Sequence, residues 1–91
     1  MPDKVHCAHI LVKTETEAKA VLERLKKGEK FSAVAQAGSL CPSGKRGGDL
    51  GTFTRGKMVK EFENAAFALQ KGATSAVVKT KFGYHIIKRL E

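Results

Sequence analysis

The chain has 91 residues, of which 17 are lysine or arginine and 9 are aspartate or glutamate, so its formal charge is +8. This length suits one domain at 1–91 with one modest core. No apolar run approaches the roughly 20 residues of a membrane span, and two cysteines do not form a disulfide scaffold. Because the first residues also lack a secretory pattern, we expect a cytoplasmic protein with reduced thiols and a surface that attracts anions.

The N-terminal third predicts one strand and two helices. Residues 4–12 are rich in valine, isoleucine and leucine, and both faces of this segment are apolar, which predicts a strand inside a sheet. Thr14 and Glu17 form a capping box, in which the hydroxyl and the carboxylate satisfy free amides at a helix start. Gly28 is placed to end that helix. A shorter helix is predicted at 31–37.

The remainder of the chain predicts more strands than helices. A loop or single helical turn is expected at 40–45, and a helix has an apolar face at Val59, Phe62, Ala66 and Leu69 and ends at Gly72. Three further strands are predicted, at 49–53, 75–78 and 84–90. Strands and helices are mixed without regular alternation, which favours an α+β fold with helices around a small, mainly antiparallel sheet.

The reactive side chains are three histidines and two cysteines. Cys7 and His9 share one face of the first predicted strand, because alternate residues of a strand point to the same side. His85 lies in the last predicted strand, and Cys41 begins a glycine-rich loop. These residues form a candidate site if the two strands and the loop converge. The alternative is that each is a buried polar residue with a structural role.

Three other kinds of site are weaker. A zinc site needs three or four ligands, but His6 points away from Cys7 and His9, so we expect no metal. The segment 38–46 resembles a phosphate-binding loop, but it has five residues between its glycines and an arginine where the magnesium-binding hydroxyl belongs. A cysteine–histidine protease site lacks an orienting partner.

Four blocks of sequence together are more specific than any of these features. They are His-Ile-Leu-Val-Lys at 9–13, Ser-Leu-Cys-Pro-Ser-Gly-Lys-Arg-Gly-Gly-Asp-Leu-Gly at 39–51, the segment 53–63, and Phe-Gly-Tyr-His-Ile-Ile at 82–87. In order and spacing they resemble the parvulin family of peptidyl-prolyl cis/trans isomerases over nearly the whole chain. The resemblance implies a parvulin-like (FKBP-like) four-stranded, mainly antiparallel sheet surrounded by about four helices.

The same resemblance implies roles for eight residues. The residues implied for the catalytic polar network are His9, Cys41, Thr80 and His85. The residues implied for the proline pocket and its aromatic neighbour are Leu50, Met58, Phe62 and Phe53. From the spacing alone, Met58 and Phe62 share a face if both are helical. The alternative is that the apolar members are simply core residues.

The implied activity is rotation of X-Pro peptide bonds in unfolded or flexible chains, without covalent chemistry and without a cofactor. Phosphate-directed members of the family carry a basic loop after the first strand, whereas Lys13 leads directly to the cap at Thr14, so we expect no preference for phosphorylated residues. Lys45 and Arg46 are expected to border the cleft. The expected partners are proline-containing peptides and unfolded proteins, and the expected state is a monomer. Two alternatives stay open: a peptide-binding chaperone module with little turnover, and a basic adaptor to an anionic membrane or nucleic acid.

Overall fold

The computed structural model describes residues 4–91, and its centre is one four-stranded antiparallel sheet. The strands are β1 (Lys4–Val12), β2 (Asp49–Thr54), β3 (Val78–Thr80) and β4 (Gly83–Arg89). Their order across the sheet is β2-β1-β4-β3. The first strand is therefore internal, as its two apolar faces predict, and it lies beside the last strand of the chain.

Helices cover both faces of the sheet. They are α1 (Glu15–Lys26), α2 (Phe31–Gly38), a 3₁₀ helix (Pro42–Arg46) and α3 (Lys60–Ala68). The predicted α+β class is confirmed, with three α-helices and one 3₁₀ helix where about four helices were expected. No helix within residues 4–91 is long and apolar enough to cross a membrane.

Alternate residues of β1 divide the apolar interior into two clusters. Ile10 and Val12 pack with α1 and α2 on one face of the sheet. Val5 and Cys7 pack on the other face with α3. This division follows from the two-residue period of a strand. His9 also points to the α3 face, because it is two residues after Cys7 in the same strand.

The capping box at the start of α1 forms differently from the prediction. The Glu17 backbone N–H donates to Thr14 Oγ1 at 3.2 Å, as expected. The Glu17 carboxylate, however, accepts from the Thr14 hydroxyl at 3.0 Å rather than from a backbone amide. The cap still places the helix start two residues after β1, so a short connection joins the two elements.

Two boundaries in the C-terminal half were predicted wrongly. The strand expected at 75–78 is instead β3 at Val78–Thr80. The Ser75 N–H donates to the Ile87 carbonyl at 2.7 Å, but the Ile87 N–H donates at 2.9 Å to the Ser75 hydroxyl instead of a backbone carbonyl. Helix α3 ends at Ala68, before the predicted end at Gly72, because Leu69 is extended and packs against the interior.

Candidate active site

A cavity of about 340 Å³ opens on the α3 face of the sheet. Three lining residues have polar or reactive groups, namely His9, Cys41 and His85. The other lining residues are apolar: Leu11, Leu40, Pro42, Leu50, Met58, Val59, Phe62 and Phe82. The cavity is therefore an apolar pocket with a small polar region, which is typical of sites that bind small groups with a defined orientation.

The two histidines lie side by side because β1 pairs with β4. His85 is opposite Leu11 in the antiparallel register, two positions from His9. The two Nδ1 atoms are 3.0 Å apart, and the rings are stacked with an interplanar angle of 19°. Both side chains are buried, with 5% of His9 and 4% of His85 exposed. The sheet therefore brings together two residues that are 76 positions apart in the sequence.

Thr80 at the end of β3 extends the histidine pair into a chain of hydrogen bonds. Its Oγ1 accepts the Phe82 N–H at 3.1 Å and lies 2.7 Å from His85 Nε2. The Phe82 amide, Thr80, His85 and His9 thus form one connected chain of hydrogen bonds.

Burial keeps the histidine pair neutral at physiological pH. Burial, with a smaller contribution from the neighbouring His85, lowers the pKa of His9 from 6.5 to about 4. Burial also lowers the pKa of His85. A buried imidazole loses the hydration of its charged form, so the neutral form is favoured. The polar region of the cavity therefore consists of neutral hydrogen-bonding groups.

These pKa values predict a stability that falls with acid. His9 binds a proton near pH 6.5 in the unfolded state but only near pH 4 in the folded state. The folded state therefore has its full stability above pH 6.5. As the pH falls below 6.5, the unfolded state gains a proton that the folded state does not bind, so the free energy of unfolding decreases. We expect the free energy of unfolding, measured with urea, to be about 2 kcal/mol lower at pH 5 than at pH 7. A His6→Gln variant, which removes the histidine outside the cavity, should keep this drop. A stability that is equal at the two pH values would contradict the prediction.

Phe62 connects the polar and apolar parts of the cavity. Its ring meets His9 and His85 nearly at right angles, with centroid distances of 5.5 and 5.3 Å. Leu50 from β2 and Met58 from the segment before α3 line the same cavity. Met58 is not helical, so the condition for a shared helix face with Phe62 is not met, although both side chains reach the cavity. The three apolar residues of the predicted proline pocket are thus brought together.

Phe53 does not occupy the position that a substrate-binding residue needs. It is buried in the α3 cluster and does not line the cavity. Its ring packs against Phe62 and Phe67, with centroid distances of 6.1 and 6.2 Å. The expectation of direct substrate contact is therefore corrected: Phe53 supports Phe62 from behind, because its strand position points into the interior.

Cys41 lines the cavity but is separate from the histidine network. It precedes the 3₁₀ helix and is half-buried. Its backbone N–H donates to Ser39 Oγ at 3.4 Å. Within residues 4–91 no hydrogen bond joins its thiol to either histidine. Of the residues implied for the polar network, Thr80 therefore contacts the pair, whereas Cys41 shares the cavity without a hydrogen bond to it in the described part of the chain.

The structure adds lining residues that the sequence reading missed. Leu40 and Phe82 are large apolar side chains that are 61% and 62% exposed at the cavity. Sequence offers a signal only for Phe82, which stands in a turn where apolar residues are unusual. Lys45 lines a neighbouring depression that shares three lining residues with this cavity, namely Leu40, Cys41 and Pro42. Lys45 therefore borders the cavity, as expected, whereas Arg46 lines a separate cavity and does not.

No group of three histidine, cysteine, aspartate or glutamate side chains in the described part of the chain is arranged to hold a metal ion. The groups that the cavity offers to a ligand are its apolar surface, its imidazoles and its thiol.

Comparison with known proteins gives one consistent family. A family model described as Rotamase, the PPIC-type PPIASE domain, matches residues 9–91. A foldase protein PrsA of Geobacillus kaustophilus is 56% identical over 86 residues, which cover 93% of this chain and 31% of the relative. The chain thus spans about a third of the length of such curated relatives.

Solved structures of chains of similar length have the same fold. The parvuline NmPin of Nitrosopumilus maritimus is 51% identical, with a TM-score of 0.89 and coverage of 100% of this chain and 99% of the other. CsPin, from a psychrophilic archeon printed as Cenarcheaum symbiosum, is 60% identical, with a TM-score of 0.86 and coverage of 100% and 95%. These similarities include every strand and helix around the cavity.

Proposed function

Because this chain belongs to the PPIC-type, or parvulin, family of peptidyl-prolyl cis/trans isomerases, we propose that it accelerates rotation about X-Pro peptide bonds in unfolded or flexible protein chains. One observation carries the proposal. A neutral, hydrogen-bonded histidine pair lies beside Leu50, Met58 and Phe62 in a single cavity. That arrangement suits a substrate with an apolar ring at one end of an amide bond.

The cavity can lower the rotation barrier without bond-making. Resonance in the amide produces a barrier of about 18–20 kcal/mol, and a catalyst must bind the twisted amide better than either planar form. The apolar residues hold the pyrrolidine ring and exclude water. As the amide twists, charge returns from its oxygen to its nitrogen, so a neutral and weakly polar environment at the carbonyl favours the twisted state.

The histidine pair acts here by its position and its neutrality. Its chain of hydrogen bonds begins at the Phe82 amide and passes through Thr80 and His85 to His9. Fixed dipoles need no reorganisation during the reaction, which makes them effective in a site with little water. A protonated pair would place a positive charge at the carbonyl and would stabilise the planar, charge-separated amide. The lowered pKa of His9 prevents this at neutral pH.

An isomerisation assay on a panel of X-Pro peptides tests the proposed activity. The expected result is a catalysed cis-to-trans rate that rises linearly with enzyme concentration. Saturable binding of the same peptides without any catalysis would instead favour a peptide-binding chaperone module. A heat-unfolded sample of the same chain controls for the uncatalysed reaction.

We expect no preference for phosphoserine or phosphothreonine before proline. Only two residues, Lys13 and Thr14, separate β1 from α1, so the connection has no room for an extended basic loop. In the same assay, a phosphorylated peptide and its unmodified twin should differ in kcat/KM by less than about threefold. A tenfold difference would correspond to about 1.4 kcal/mol. A phosphopeptide that is turned over tenfold faster would overturn this expectation.

A non-covalent reaction predicts that Cys41 can be replaced. The thiol lines the cavity and, within residues 4–91, makes no hydrogen bond to either histidine, and a carboxylate and a thiol are not equivalent nucleophiles. We expect Cys41→Asp to keep kcat/KM within about tenfold of the native value. A change of that size corresponds to the effect of at most one charge-assisted hydrogen bond. Loss of all catalysis in a correctly folded Cys41→Asp protein would indicate attack by sulfur. Cys7→Ala, on a buried cysteine outside the cavity, is the matched control.

The proposed isomerase activity also suits a role as a folding helper. Relatives named PrsA are called foldases, and an isomerase that acts on flexible chains suits that role.

We also propose that the chain is a monomer and acts in the cytoplasm. Light scattering tests the first, and fractionation of the source cells tests the second. Weak attraction to anionic surfaces through the charge of +8 is an additional proposal that a salt titration tests.

A further inference from the structure

A second cavity, of about 380 Å³, lies on the opposite face of the sheet from the histidine pair. Three cationic side chains line it, each from a different element: Lys30 before α2, Arg46 at the end of the 3₁₀ helix, and Lys88 on β4. We name it the basic cavity. Its position follows from the strand register, because Lys88 is opposite Ala8 on the α1 and α2 face.

Small residues create the space between these cations. Ala8 and Ser32 line the basic cavity, together with the backbone of Gly47. Gly47 has a φ of +70°, and a Cβ there would approach the Ser32 Cβ to 2.6 Å. Larger residues at these positions would fill the cavity or separate the 3₁₀ helix from α2. The close approach of these two elements keeps Arg46 near Lys30.

The protein only partly neutralises the three cations. Within residues 4–91, none of them lies within ion-pair distance of a carboxylate. Asp49 also lines the basic cavity, and its Oδ1 accepts from the Gly51 N–H at 2.7 Å and lies 2.7 Å from His6 Nε2. The Gly51 N–H, His6 and the nearby charge of Arg46 together lower the pKa of the Asp49 carboxyl. Three cations and one carboxylate leave an excess of positive charge around the cavity, which attracts an anion.

The start of α2 adds donors to the same cavity. Ser32 contributes a hydroxyl, and the first turn of α2 has neither a side-chain cap nor an acidic residue. Free backbone amides at a helix start favour negative charge nearby. They supplement the three cationic side chains, whose convergence is the main evidence for a site.

We propose that the basic cavity binds a compact, multiply charged anion of the phosphate type. Lysine and arginine bind phosphate oxygens with charge-assisted hydrogen bonds, and the volume suits one or two phosphate groups rather than an extended polymer. The group can come from a soluble phosphate compound or from a phospholipid headgroup. Because this site and the histidine pair lie on opposite faces of the sheet, the proposal is independent of the isomerase activity.

Titration of the folded chain with inorganic pyrophosphate, followed by ¹H–¹⁵N spectra, tests the site. We expect saturable shifts at the amides of Phe31, Ser32, Gly47 and Lys88. The double variant Lys30→Gln with Lys88→Gln should weaken binding by at least about tenfold, because two charge-assisted contacts are lost. The matched control removes the same charge elsewhere, at the exposed residues Lys13 and Lys19, and should change binding less than twofold. Isomerase activity should be unchanged in both double variants.

A second arm separates the two sources of the anion. Vesicles of phosphatidylcholine with and without phosphatidic acid are sedimented with the native chain and both double variants. Loss of phosphatidic-acid-dependent binding only in the Lys30 and Lys88 variant identifies a headgroup. Pyrophosphate binding without vesicle binding identifies a soluble compound. Equal weakening by the control variant, equal shifts with sodium chloride at the same ionic strength, or no binding in either arm would overturn the proposal.

Discussion

Replacing Met58 with alanine should lower kcat/KM for X-Pro peptides by about 10- to 30-fold. The side chain is half-buried in the free protein and lines the cavity with Leu50 and Phe62. Substrate would cover its exposed part, and a fully covered methionine contributes about 1.5–3 kcal/mol. Because the pyrrolidine ring is held in both the planar and the twisted state, the loss should affect KM more than kcat.

Leu22→Ala is the matched control for the Met58 variant. Leu22 lies on α1 and packs against the cluster on the opposite face of the sheet. Its truncation should lower the free energy of unfolding while kcat/KM stays within twofold of the native value. If Met58→Ala leaves kcat/KM unchanged as well, then Met58 is only a partly exposed core residue, and the assignment of the proline pocket is wrong.

Replacing Gly48 with alanine should have the largest effect on stability, a loss of about 3 kcal/mol or more. Gly48 has a φ of +84°, and a Cβ there would collide with the carbonyl oxygen of His9. The same close approach is part of the fold, because the His9 N–H donates to the Gly48 carbonyl at 2.9 Å. The substitution would push β2 away from β1 beside the histidine pair, so catalysis should fall too.

Gly51→Ala separates the steric effect from the backbone effect. Gly51 has a similar φ of +75°, but no atom lies within 4 Å of the position of its Cβ. This variant should lose only about 1 kcal/mol, the cost of a left-handed residue with a side chain. Thermal unfolding of a domain this size shifts by about 4–8 °C for each kcal/mol, so the two variants are readily distinguished. Equal melting temperatures would show that the contact of Gly48 with His9 is unimportant.

Much of the local structure could be predicted because local patterns specify it. The apolar faces of residues 4–12 predict an internal strand, and Thr14 predicts the start of α1. The errors occur where distant contacts compete with local preference. Ser75 donates its backbone N–H to the Ile87 carbonyl but accepts the Ile87 N–H with its hydroxyl, so the strand ladder does not continue there. Leu69 leaves the helical path to pack in the interior, so α3 ends before Gly72.

The candidate site, too, was partly predictable from the sequence and partly dependent on distant contacts. Residue types and the resemblance of four blocks to a family identify His9, His85, Met58 and Phe62 from the sequence alone. The sequence contains no information on the distance between His9 and His85, because that distance depends on the register of β1 against β4. The same register decides which residues share the cavity, so it placed Leu40 and Phe82 at the cavity and Phe53 behind it.

The amino-acid sequence by itself determined the elements, the α+β class, the net charge and the family, because these depend on local periodicity, composition and ordered motifs. Only the tertiary structure decided the chemistry of the site. Burial lowers the pKa of both histidines, and burial is a property of the packed chain. Packing also determines that the charge of +8 is not concentrated at the active-site cavity. The active-site cavity is mostly apolar, whereas Lys30, Arg46 and Lys88 converge on the opposite face of the sheet.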